Sequence, residues 1–334
     1  QQQKPTPIKE LSIQLETPEF YLKLGNLLGQ KNLFNPGIII YNIGLQVQQN
    51  HPEIISQLAK LENKKSKLYQ ELTDCKNTIN KDPKKAVYHY KLGDILLKFQ
   101  RLNEAAATYI KAIQIKPEYP WFFFYSDLLN FLIKQGKLQK ILKLFQQAAQ
   151  ENPNSILCYV NLGEILTETG NLDAAIKNYQ TASYNKTRQS HPTFVEKNWD
   201  LKNTNGPNFI IIGAQKSGTT SLENYIAQHP QVIPAIKKET HFWYRDFRKG
   251  IDWYLAHFPP IPRSENYITG EATPNYLENY QAAKRIYNVF PEVKLLVILR
   301  NPVDRTFSQY HHWIKFDWDY RSFETAINYE LEIL

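Results

Sequence analysis

A recurrence every 34 to 36 residues constrains this chain before any other feature does. Leu92-Gly93, Ala105, Tyr109, Ala112 and Pro117 return seventy residues later as Leu162-Gly163, Ala175, Tyr179 and Ala182. An upstream copy keeps the same offsets in Leu24-Gly25, Gly37, Tyr41 and Gly44, with Pro52 three residues later than the pattern, and a weaker one runs through Leu128, Ile141, Phe145, Ala148 and Pro153. Small residues at the eighth, twentieth and twenty-seventh positions let two antiparallel helices approach closely. Aromatic side chains fill the space between copies, and proline ends the second helix. Units of this size cannot bury their apolar faces alone, so the pattern predicts stacked helical hairpins.

The pattern resembles the tetratricopeptide repeat over residues 18–187, in four copies. That resemblance implies an α-helical solenoid whose surface docks a protein or peptide partner. Residues 53–81 interrupt it: Ile54, Leu58, Leu61, Leu68, Leu72, Cys75 and Ile79 fall at steps of three, four and seven. This spacing predicts one long inserted helix, stacked along the solenoid or paired as a short coiled coil. Its Lys60, Lys64, Lys65 and Lys67 read as a solvated face, and Trp121, Phe122, Phe123 and Phe124 as core at the start of the third repeat. Residues 188–206, with Ser190, Pro192, Asn203, Asn205 and Gly206, have weak periodicity and read as a linker.

At 334 residues, two domains are expected. The two cysteines, Cys75 and Cys158, lie too far apart in sequence for a disulfide framework and lack metal-ligand spacing, which suits a reducing, cytoplasmic compartment. No run of eighteen apolar residues predicts a membrane span, and QQQKPTPIKE at the start has no apolar signal core. The net charge of +8 divides unevenly: residues 1–206 hold 26 Lys and Arg against 18 Asp and Glu, and residues 207–334 hold 14 against 14. Nucleic acid is therefore not the expected partner, and an anion site in the second part must use local charges and oriented N–H groups.

From Pro207 onward short apolar runs alternate with helical stretches. "FIIIG" (209–213) and "KLLVILR" (294–300) have the length of buried strands, and each precedes a helical pattern, which predicts an α/β domain with a parallel sheet. "FIIIGAQKSGTTSLENYI" (209–226) is a P-loop-like strand, loop and helix. A Walker loop carries lysine directly after its second glycine. Here Thr219 and Thr220 follow Gly218, and the lysine is Lys216, inside the loop. The N–H groups of Ser217 to Thr220, the threonine hydroxyls and Lys216 can converge on an anion at the helix N-terminus; the bland alternative is a glycine turn before a helix. The second run ends in Arg300 where a nucleoside triphosphatase needs an acid for magnesium. Asn301-Pro302 then caps a helix that carries Ser308 two turns on. Two anion pockets with no metal ligand between them fit 3′-phosphoadenosine 5′-phosphosulfate.

"IIIGAQKSGTTSLENYIAQHP", "KKETHFW", "KGIDWYLAHFP", "GEATPNYL" and "LLVILRNPVDRTFSQY" occur in the order seen in sulfotransferases. Residues 207 to about 330 resemble the heparan sulfate N- and 3-O-sulfotransferase branch and its bacterial relatives, some of which carry tetratricopeptide repeats. The resemblance implies that Lys216, Ser217, Gly218, Thr219 and Thr220 hold the 5′-phosphosulfate end of the nucleotide and that Arg300 and Ser308 hold its 3′-phosphate. It makes Glu239 the catalytic base, with Lys216 stabilising the leaving phosphate and His241 lining the acceptor site, and no metal. Two bland readings stay open: Glu239 pairing with a solvated Lys237 or Lys238, and His241 satisfying a core hydrogen bond. His311 and His312 read as packing or surface. Ala272 stands where some heparan sulfate enzymes have lysine. The absence of any methionine and the stop at Leu334, soon after the second anion motif, mark the sequence as a fragment, with the α/β domain incomplete.

The expected function is transfer of a sulfuryl group to a hydroxyl or amine, on a glycan, by a bacterial-type enzyme docked through its repeats. The alternatives are a repeat scaffold with an inactive sulfotransferase-like segment, and a P-loop nucleotide hydrolase or kinase.

Overall fold

The computed structural model describes residues 17–121, 126–315 and 321–333, so Phe122, Phe123 and Phe124 lie outside the described residues. The chain divides into two compact units, Gln1–Lys116 with Asn130–Lys137, and Pro117–Leu129 with Leu138–Leu334. A helical region comes first, and an α/β domain follows it.

In the first unit the helices are α1 (Pro18–Gln30), α2 (Phe34–Val47), α3 (Pro52–Lys81), α4 (Ala86–Lys98) and α5 (Leu102–Ile115). Thr17 opens α1 by accepting the Phe20 N–H at 3.3 Å, with Pro18 in the first turn, where its missing N–H costs nothing. α1 packs on α2, and α4 on α5, as hairpins. One contact recurs in both and again in the second unit. A Cβ on Gly25 would lie 2.3 Å from the Tyr41 ring, one on Gly93 2.4 Å from Tyr109, and one on Gly163 2.5 Å from Tyr179. Each tyrosine hydroxyl donates to the residue after its glycine: Tyr41 to Asn26 at 2.7 Å, Tyr109 to Asp94 at 2.6 Å, Tyr179 to Glu164 at 2.8 Å. Glycine is thus required as the seat of a ring whose polar tip must find a partner.

The long helix α3 buries Ile54, Leu61, Leu68 and Leu72. Ile54, Leu61 and Leu68 share a core with Leu22, Phe34 and Tyr41, so α3 stacks on its own repeat rather than pairing as a coiled coil. Lys60, Lys64 and Lys67 are exposed as expected, and Lys65 is half-buried.

Next come α6 (Ser126–Lys134), α7 (Leu138–Glu151), α8 (Ile156–Glu168) and α9 (Leu172–Ser190). Trp121, just before them, is buried. Ser155 caps α8 through the Cys158 N–H, and Asn171 caps α9 through the Ala174 N–H, both at 3.3 Å. The segment expected as a linker contains α10 (Pro192–Asn198), which buries Phe194 and Val195 against Ile233 and Ile261. Seven residues are too few to display a helical period, which is why the sequence pattern is weak there.

The α/β domain contains β1 (Phe209–Gly213), α11 (Thr219–Ile226), α12 (Ile251–Leu255), β2 (Gly270–Ala272), α13 (Tyr280–Val289), β3 (Lys294–Val297), α14 (Pro302–Lys315) and α15 (Phe323–Ile333). The strands are parallel in the order β2-β1-β3, with Phe209 paired to both Gly270 and Lys294. β1 is central and buried, as its unbroken apolar run requires. β3 corrects the expectation of a second buried strand. It is an edge strand among the described residues, and Leu295 and Val297 are 49% and 46% exposed. Phe242, Trp243, Trp253, Tyr254 and Phe290 form an aromatic cluster, with the Phe242 and Tyr254 rings stacked at 4.7 Å. Among the described residues no helix is long and apolar enough to cross a membrane.

Gly93→Ala places a methyl group against the Tyr109 ring and is expected to lower the unfolding free energy by about 1–3 kcal/mol, despite alanine's better helix propensity. Chemical denaturation of the variant against the parent chain measures it.

Candidate active site

The two predicted anion loops meet at the carboxyl end of the sheet. Ile298 donates its N–H to the Gly213 carbonyl and accepts from Ala214 N–H, both at 2.9 Å, so the loop after β1 is tied to the one after β3. Gly213 has no room for a side chain: a Cβ there would lie 2.7 Å from Leu277 Cβ. Arg300 Nη1 donates to the Lys216 carbonyl at 3.3 Å, which brings the residues expected to hold opposite ends of the ligand to one edge of the sheet.

The loop reverses through Lys216 at φ +65° and Gly218 at φ +102°, and α11 starts at Thr219. Leu222 is the first residue of that helix whose N–H reaches a carbonyl, Gly218 O at 3.0 Å, so the preceding N–H groups at the helix start have no intrahelical acceptor. Ser217 Oγ is buried and has no hydrogen-bond partner among the described residues. An orphaned hydroxyl beside orphaned N–H groups and a lysine suits a phosphate-like anion. After β3, Asn301 Oδ1 accepts the Val303 N–H at 3.0 Å and so caps α14. Ser308, seven residues on, lies two turns along and on the same side of the helix as the cap, and is half-buried. Its neighbour Gln309 is buried with neither amide atom paired among the described residues.

The third component is the segment Lys237–His241. Glu239 N–H donates to the Ala272 carbonyl at 3.0 Å, which pins the segment to the end of β2. Lys238 Nζ bridges the two parts of the site, reaching Thr220 Oγ1 at 2.6 Å and Glu239 Oε1 at 3.2 Å. The candidate base is therefore linked through one ammonium to the first turn of the anion-loop helix. His241 Nε2 lies 3.8 Å from Glu239 Oε2, and its Nδ1 is 3.0 Å from the Tyr244 hydroxyl. Five non-glycine residues have positive φ among the described residues, and Lys216, Glu239 and His241 are three of them. Such geometry is costly for residues with a Cβ and persists where surrounding contacts over-determine it.

Of the bland readings, Glu239 does pair with Lys238. Lys237, however, is not a solvated charge: its side chain is 8% exposed and pairs with Glu164 on α8. Glu271, inside "GEATPNYL", is a functional residue that no spacing in the sequence singles out. It is fully buried and accepts from Thr240 at 3.0 Å, Tyr254 at 2.9 Å, Tyr276 at 3.1 Å and Thr273 at 2.6 Å. Burial pushes its carboxyl above the usual range in spite of those four donors. Its bond to Thr240 holds the residue between Glu239 and His241. A lone acid inside a short strand is its signal in the sequence, but its donors are brought together only by folding. Glu223 on α11 is pushed up to about 7 by burial, with Lys238 pulling it back.

His241 is pushed down to about 3 by burial, reinforced by Arg245 and Lys237. His257 is pushed equally low by burial, with Lys237 adding to the effect, and its Nδ1 faces the Trp253 and Tyr254 carbonyls at 2.9 and 3.2 Å. Both imidazoles are thus neutral in the folded state, and the Nδ1 of His257 carries its proton, because carbonyls can only accept. His311 packs edge-on against Phe307 at 4.3 Å. Among the described residues no group of three or more His, Cys, Asp or Glu is arranged to hold a metal ion.

A histidine depressed on folding binds its proton more tightly in the unfolded chain, so stability is full above pH 6.5 and falls as pH drops toward 3. His257→Gln is expected to flatten that acid limb, as unfolding free energies measured between pH 3 and 7 will register.

The sulfotransferase domain family matches residues 206–331, and tetratricopeptide repeat families match residues 86–119 and 132–189. The membrane-associated sulfotransferase kil1 of Dictyostelium discoideum is 41% identical over 129 residues, 38% of this chain and 27% of that protein. The human bifunctional heparan sulfate N-deacetylase/N-sulfotransferase 3 is 35% identical over 112 residues, 32% of this chain and 13% of that protein. The mouse heparan sulfate glucosamine 3-O-sulfotransferase 6 is 38% identical over 104 residues, 31% of this chain and 30% of that protein. The matched stretch thus spans less than a third of each relative's own length. The family matches and these relatives show that the chain carries a sulfotransferase domain joined to tetratricopeptide repeats.

Proposed function

We propose that this protein transfers a sulfuryl group from 3′-phosphoadenosine 5′-phosphosulfate to a hydroxyl or amine of a glycan, with the repeats docking a protein or peptide partner. The observation that carries the reading is the Lys238 bridge, which joins Thr220 of the anion loop to Glu239. A carboxylate held next to the first turn of the anion-loop helix supports the reading of Glu239 as a base beside a phosphate site. The nucleotide, when bound, supplies the transferable sulfuryl group. Lys216, the Ser217 hydroxyl and the N–H groups from Gly218 to Thr220 hold its 5′ end, since the Ser217 N–H already donates to the Ala214 carbonyl at 3.2 Å, and Arg300 and Ser308 hold its 3′-phosphate. Names of the relatives that specify heparan sulfate support a glycan acceptor.

In such a displacement, negative charge grows on the leaving phosphate while the acceptor loses a proton. Lys216 meets the first change with a fixed positive charge, as preorganised groups do in phosphoryl transfer. Glu239 takes the proton, and Lys238 aims its carboxylate. His241, neutral and hydrogen-bonded at Nδ1, offers Nε2 to orient the acceptor hydroxyl or amine beside Glu239.

Sulfate transfer from the radiolabelled donor to N-desulfated heparan sulfate tests these roles. Glu239→Gln is expected to lower kcat by about 10²–10⁴-fold, the usual worth of a general base. Lys216→Ala is expected to lower it by about 10²–10³-fold, as removal of one transition-state donor does. Undiminished turnover in either variant would remove that residue from the mechanism.

A further inference from the structure

We propose that Glu164, on the last tetratricopeptide hairpin, is a positioning residue for the segment Lys237–His241, which makes that hairpin a working part of the transfer site; this rests on the sulfate-transfer reading above. The repeat itself supplies the internal comparison. In the first two tyrosine-seating hairpins the residue after the glycine is Asn26 or Asp94, and each accepts its tyrosine hydroxyl, at 2.7 and 2.6 Å. An amide or a short acid therefore meets the repeat's own need. The last hairpin has the longer Glu164, which still accepts from Tyr179 at 2.8 Å and also reaches Lys237 Nζ with the same oxygen.

Lys237 is buried, with its ammonium 5.6 Å from the Trp253 ring centre and 5.9 Å from that of Tyr179. A buried ammonium without a counter-charge is strongly destabilising, so the position of Glu164 dictates where Lys237 settles. Lys237 adjoins Lys238, the residue that bridges Thr220 and Glu239. The same hairpin grips the surrounding chain at further points. Trp253 Nε1 donates to Thr167 Oγ1 at 2.9 Å, Lys186 Nζ donates to the Ala235 carbonyl, and the Tyr179 ring lies 4.3 Å from that of His257. Lys249 adds a looser ion pair with Glu168 at 3.9 Å. Residues 235–241 are thus held from the repeat side by Lys186 and Glu164, and from the sheet side by Ala272 and Glu271.

Hydrogen exchange followed by mass spectrometry reads the segment without requiring activity, and kinetics reads the consequence. In Glu164→Gln, the amides of residues 237–241 are expected to exchange about tenfold faster while those of β1 are unchanged. Transfer to N-desulfated heparan sulfate is expected to fall about tenfold in kcat, with calorimetric affinity for 3′-phosphoadenosine 5′-phosphate within about twofold. The neutral pair Glu164→Gln with Lys237→Met is expected to recover part of both losses, because the ammonium is removed together with its counter-charge. A purely structural role would shift thermal stability without that split. Unchanged exchange at 237–241, or a double variant no better than the single one, overturns the proposal. If Glu164→Gln does not fold, Lys237→Met alone decides it through the same amides. If the parent chain transfers no sulfate while Glu164→Gln still loosens 237–241, the catalytic reading fails and the positioning role stands.

Discussion

Parallel pairing of β1 with both of its neighbours is the constraint on which the site depends. Parallel strands end on the same side, so the loops that leave β1, β2 and β3 emerge together. Lys216 follows β1 and Arg300 follows β3, and their loops are joined by the paired hydrogen bonds of Ile298. Glu239 comes from a segment that is not itself a strand, and it reaches the same edge by donating its N–H to the last residue of β2. An antiparallel arrangement of the same strands would send one of these groups to the opposite end.

Holding those groups in place requires polar chemistry inside an apolar shell. Glu271 is fully buried and surrounded by four hydroxyl donors, an arrangement tolerable because its carboxylate oxygens are satisfied. Its bond to Thr240 fixes the middle of a segment in which Glu239 and His241 both adopt positive φ. Strain on either side of a residue locked by a buried network is stable because relaxing it would break the network.

The repeats show how one contact is reused and then extended. A glycine that seats a tyrosine ring recurs in three hairpins, and each time the next residue accepts the tyrosine hydroxyl. Lengthening that acceptor to glutamate in the last copy leaves the hairpin's own packing intact and adds a partner for Lys237. Sequence repetition preserved the contact, and a single side-chain change gave it a second use.

The sequence by itself determined the helical hairpins, the long inserted helix, the strand-loop-helix with Lys216, and Arg300 in the loop just after β3. Those features are encoded by local spacing: small residues at helical intervals, an unbroken apolar run, a glycine before a capped helix. Only the tertiary structure decided that β3 lies at a sheet edge, that the segment containing Phe194 and Val195 is a packed helix, that Glu164 pairs with the Lys237 side chain, and that Glu271 is buried. Each of these depends on residues far apart in the chain, and a charge looks the same in sequence whether it faces water or a counter-charge. Glu164 and Lys237 are 73 residues apart, a separation across which no local pattern carries information.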